Sequence, residues 1–86
     1  MEKLVKISLE GDLQARPIAM LVQVASQYDS NIYLETAGKK VNAKSIMGMM
    51  SLSLKSGDEV TVKADGSDEA KAVQGIEDFL TGKNNG

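Results

Sequence analysis

The chain has 86 residues, 42% of them hydrophobic, with ten basic and twelve acidic side chains, no cysteine and no histidine. A chain of this length forms one domain, large enough to fold without a covalent staple. The missing residues exclude disulfides, thiolate chemistry and imidazole catalysis, and the net charge of −2 argues against bulk nucleic-acid binding, which asks for a basic surplus.

Val5, Ile7 and Leu9 alternate with Lys6, Ser8 and Glu10, the period-two pattern of a half-buried strand that ends at Gly11. After a Gly11-Asp12 turn, Ile18, Leu21, Val22 and Ala25 fall on one stripe of a helix running from about Arg16 to Gln27, with Pro17 in its first turn. Tyr28 to Asn31 carries turn chemistry, and Ile32 to Thr36 reads as a second strand. Ala37-Gly38 turns the chain into a short third strand, Lys39 to Asn42, as a hairpin. Ser45 then caps a two-turn helix, Ile46 to Leu52.

Val60, Val62 and Ala64 alternate through a fourth strand, and Ser67 is placed to cap a last helix whose buried stripe is Ala72, Val73, Ile76, Phe79 and Leu80. Gly75 inside that helix costs about 1 kcal/mol relative to alanine and points to close packing or to simple tolerance. The order is β-α-β-β-α-β-α: an α+β domain over residues 1–82, with an antiparallel sheet covered by helices on one face and a flexible tail at 83–86.

The longest apolar run, Ile18 to Val22, is far short of the about 20 residues a spanning helix needs. The N-terminus enters an alternating, charged pattern without the apolar block of a secretory signal, so a cytoplasmic location is expected. Charge is unevenly spread. Lys39, Lys40, Lys44 and Lys55 lie in a stretch from Thr36 to Gly57 that holds no acid, so one region can attract an anion.

Motifs for autonomous catalysis are missing. Gly38-Lys39 and Gly82-Lys83 lack the rest of a phosphate-binding loop, and no cofactor is implied. The neighbouring acids Asp58-Glu59, Asp68-Glu69 and Glu77-Asp78 read as solvated faces, since adjacent positions do not converge. Gln14-Ala15-Arg16-Pro17 sets an amide and a guanidinium beside free backbone N–H groups, which suits an anion site and equally a solvated junction.

Ile46, Met47, Met49, Met50 and Leu52 cover nearly every direction of a two-turn helix, so some are expected at the surface, where flexible methionine often accepts partners. A wholly buried helix is the alternative. Ser45 serves either as a plain N-cap or as a phosphorylation site, where the added charge of about −1.5 to −2 falls at the helix start beside Lys44.

Gln14-Ala15-Arg16-Pro17 together with Lys40 to Gly48 closely resembles the two signature segments of HPr, the phosphocarrier of the bacterial sugar phosphotransferase system, and the likeness extends over nearly the whole chain. It implies an open-faced β-sandwich, a four-stranded antiparallel sheet with three helices on one face. In carrier members the residue before Ala-Arg-Pro is a histidine that relays phosphate from Enzyme I to sugar permeases; here it is Gln14, whose amide is not a usable nucleophile.

Glutamine at that position with the serine segment retained resembles the catabolite-repression branch of the family. The resemblance implies a non-enzymatic regulator, phosphorylated on Ser45 by HPr kinase/phosphorylase and then a corepressor for catabolite control protein A, a LacI-type repressor that alone touches DNA. Arg16, Ser45, Ile46, Met47 and Met50 match positions that face such partners, and Gln14, Met20 and Lys44 complete the expected surface. Two alternatives stay open: a phosphocarrier disabled by Gln14, and a plain assembly domain.

Overall fold

A computed structural model describes residues 1–8, 15–36, 38–52 and 57–82, and the side chains of all of these except 15–17. The elements are β1 (Glu2–Lys6), α1 (Ala15–Ser26), β2 (Asn31–Thr36), β3 (Lys39–Asn42), α2 (Ile46–Met50), β4 (Glu59–Asp65) and α3 (Glu69–Leu80). The four strands form one antiparallel sheet in the order β1-β4-β2-β3.

Alternation decides which face is dry. Val5 pairs with Val60, Leu34 with Val62 and Ile32 with Ala64, and all six are buried on the face that the helices cover. Ile18, Leu21 and Ala25 of α1 and Ala72, Val73, Ile76 and Leu80 of α3 close the core from the other side, with Met49 of α2 and Leu52 just beyond it. The opposite face is wet: Lys40 stacks over the Tyr33 ring at 4.7 Å, and Lys63 pairs with Glu35 at 3.2 Å.

The first strand differs from the sequence reading. Its ladder spans Glu2–Lys6 with Leu4 exposed, whereas Ile7 is buried beyond it. Ile7 still exchanges backbone bonds with the segment just before β4, donating to the Asp58 carbonyl at 2.9 Å and accepting from Gly57 N–H at 2.7 Å. The pattern therefore marks the buried side chains correctly, while the ladder begins three residues earlier. Leu9 and the Gly11-Asp12 turn lie outside the described residues, as does the expected tail at 83–86.

The start of α3 is also different. The cap position belongs to Asp68 and not Ser67, and Asp68 makes no side-chain capping bond. Its carboxylate reaches instead across the molecule, accepting from the Asp29 and Ser30 backbone N–H groups at 2.9 Å each and from the Ser30 hydroxyl. Together these bonds fasten the turn between α1 and β2 to the mouth of α3. Gly66 lets the two segments come this close: a Cβ there would lie 2.7 Å from the Ser30 Cα.

Gly75 is explained by close packing. A Cβ on it would overlap the Tyr28 hydroxyl oxygen, so glycine is what admits the tyrosine against α3.

Candidate functional site

Ser45 stands where β3 hands over to α2, and short backbone bonds hold it there. Ala43 is buried and donates to the Ile32 carbonyl at 2.8 Å, drawing the loop onto the sheet. The Asn42 side chain accepts from Lys44 N–H at 2.8 Å, and the Asn42 carbonyl accepts from Ser45 N–H at 3.0 Å. Ser45 then takes an extended conformation, φ −104° and ψ 112°, and its Oγ accepts from Gly48 N–H at 3.3 Å. It is the N-cap the sequence predicts, and its side chain is exposed.

The five-residue α2 is pinned by one side chain, Met49, which is fully buried. That anchor orients the remainder outward. Ile46, Met47 and Met50 are large apolar groups left exposed, and Met20 is exposed on α1, which packs beside α2. The chain thus sets an exposed hydroxyl at the edge of an apolar surface.

Lys44 is placed otherwise than its sequence position suggests. Its ammonium donates to the Tyr28 carbonyl at 2.7 Å, past the C-terminal end of α1, and the side chain is half-buried. Lys40 is drawn to the wet face by Tyr33. Lys44 and Lys40 therefore spend their charge away from Ser45. Lys55 and Gln14 lie outside the described residues; Ala15 and Arg16 open α1.

Three of the adjacent acids are tied to partners elsewhere in the fold. Glu77 bonds Lys3 at 2.8 Å, Glu69 sits 3.2 Å from the N-terminal amine, and Asp68 serves the Ser30 turn. The Ser30 hydroxyl, then the Asp29 amide, hold the Asp68 carboxyl below its ordinary range, and the N-terminal amine does the same for Glu69. These ties are structural. Sequence reasoning missed them because the partners of Asp68 lie 38 and 39 residues away.

Among the described residues no group of three or more acidic side chains is placed to hold a metal, and no helix is long and apolar enough to cross a membrane.

Comparison with known proteins agrees with the fold. Residues 1–82 match the family model described as "PTS HPr component phosphorylation site". The HPr-like protein Crh of Halalkalibacterium halodurans is 48% identical over 92% of this chain and 94% of its own length. The phosphocarrier protein HPr of Bacillus anthracis superposes with a TM-score of 0.89 at 42% identity, over 93% of this chain and 95% of that one. Bacillus subtilis Crh, described as a dimer with a swapped domain, superposes with a TM-score of 0.77 at 47% identity, over 91% and 90%. With the sheet order, the helical layer and these matches in agreement, the chain belongs to the HPr family.

Proposed function

We propose that this chain is a non-enzymatic regulatory phosphoprotein of carbon catabolite repression. HPr kinase/phosphorylase phosphorylates Ser45 in the cytoplasm, and the modified protein acts as a corepressor of catabolite control protein A. In the first step the Ser45 oxygen attacks the γ-phosphorus of ATP, the bond to ADP breaks, and the hydroxyl proton passes to a base of the kinase. The observation that carries this reading is the exposed Ser45 hydroxyl bordering the uncovered Ile46, Met47 and Met50 side chains.

Phosphate supplies the switch. It adds about −1.5 to −2 charge and strong acceptor oxygens, so a partner with Arg or Lys beside a hydrophobic groove gains charge-assisted bonds only in the modified state. Apolar side chains supply the area, worth about 1.5–3 kcal/mol for each one fully buried at the interface. The likeness to Crh supports a regulatory role, and Gln14 in a chain without histidine supports the loss of phosphate relay.

Likeness to a phosphocarrier favours one other reading, a carrier silenced at residue 14. Calorimetric titration of the regulator with phosphorylated and unmodified protein tests the proposal. Binding should require phosphate and weaken in Met47→Ser; equal binding of the two forms contradicts it. Gln14→His supplied with Enzyme I and phosphoenolpyruvate tests the other reading, which efficient relay to sugar permeases would favour.

A further inference from the structure

The chain has five methionines and no cysteine, so thioethers are the only sulfur that a peroxide can meet. Their surroundings differ sharply. Met47 is 83% exposed, Met1, Met50 and Met20 lie between 48% and 58%, and Met49 is wholly buried. Oxidation of a thioether needs access to the sulfur, and the product is polar and chiral where the reactant was apolar. The most exposed methionine therefore stands in the apolar surface beside Ser45, two residues from the most protected one.

We propose that Met47 is a redox modification site, where hydrogen peroxide converts the thioether to a sulfoxide and makes the surface around Ser45 polar. The sulfur lone pair attacks one peroxide oxygen, the O–O bond breaks, and the other oxygen leaves as water after proton transfer. Sulfur loses two electrons and the peroxide gains them. Thiol-dependent sulfoxide reductases, one for each epimer, reverse the step.

The fold tolerates this chemistry at Met47 because Met49, not Met47, anchors α2 in the core. A sulfoxide at position 47 changes what the surface offers without opening the interior. The consequence for docking rests on the reading of this face as the regulator's surface. A buried methionine contact replaced by a polar group weakens that complex by about tenfold or more.

The test treats the intact protein with dilute hydrogen peroxide and follows each methionine by peptide mass mapping. Met47 should oxidise first, Met50 and Met20 later and Met49 last; Met47 reacting no faster than Met49 overturns the proposal. Retention on a hydrophobic-interaction column should fall as the Met47 sulfoxide accumulates, recover with the two reductases and a thiol, and change far less in peroxide-treated Met47→Leu. Unchanged retention at full Met47 oxidation also overturns it.

Titration of the regulator with reduced, oxidised and repaired phosphoprotein then reads the consequence for docking. Loss on oxidation with recovery on repair supports it, and equal binding of all three removes it. If reduced phosphoprotein does not bind, the docking reading fails, while oxidation order and column retention still decide the modification.

Discussion

The Lys44 ammonium donates to the Tyr28 carbonyl at 2.7 Å, joining the loop that carries Ser45 to the end of α1. Tyr28 in turn packs its ring into the space left by Gly75 on α3. The serine is thus braced by a lysine that grips one helix end and a tyrosine wedged against another.

Lys44→Met keeps most of the stem and deletes the charged donor. It should lower stability by about 1–2 kcal/mol, read as a drop in urea midpoint at unchanged slope. Amide hydrogen exchange should quicken at Ser45 and Gly48 more than in β4. Equal exchange at both places would mean that Lys44 does not brace the loop.

Acid sensitivity follows from Asp68. The Ser30 hydroxyl and the Asp29 amide lower its folded-state pKa from the ordinary 3.8, so on acidification the unfolded chain takes up the proton first. Its contribution is complete above the ordinary value and is lost as pH falls through the lowered one. Glu69, lowered by the N-terminal amine, acts with the same sign. Urea midpoints should show Asp68→Ala weaker than the parent at pH 7 and the gap narrowing toward pH 2; a gap that stays constant contradicts this.

Gly75→Ala gains up to about 1 kcal/mol of helix propensity but drives a methyl group into the Tyr28 hydroxyl. Alanine should therefore destabilise the parent and stabilise a Tyr28→Ala background. A double-mutant cycle from thermal or urea unfolding reads that change of sign. Additive effects would separate the two residues.

Ser45→Ala removes the cap of α2. Its bond to Gly48 is long at 3.3 Å, so the cost should fall near the lower end of the range for caps, about 0.5–1 kcal/mol. The variant should stay folded at room temperature, as circular dichroism would read. It therefore serves as a control for phosphorylation.

Element order, the hairpin and the Ser45 cap were legible because each rests on neighbours in the chain: alternation, turn residues, and a serine before an apolar run. That some side chains of the Ile46 to Leu52 segment lie exposed was legible as well, since so short a helix has too little buried face for five large side chains, and the family resemblance pointed to Ile46, Met47 and Met50. The true ends of β1 were not, because alternation marks the dry side of a strand without marking where ladder bonds begin. Ser67 looked like a cap by local rules, yet Asp68 takes the position and spends its carboxylate on Ser30. Lys44 looked available to an anion beside Ser45, and only the approach of Tyr28 in three dimensions shows where its charge goes. Local grammar carries the elements, whereas long-range polar ties need the fold.

Intact mass after incubation with HPr kinase/phosphorylase and ATP tests the central claim most directly. The expected result is a gain of one phosphate in the parent and none in Ser45→Ala. No gain in the parent, or the same gain in Ser45→Ala, would contradict the assignment of Ser45 as the switch.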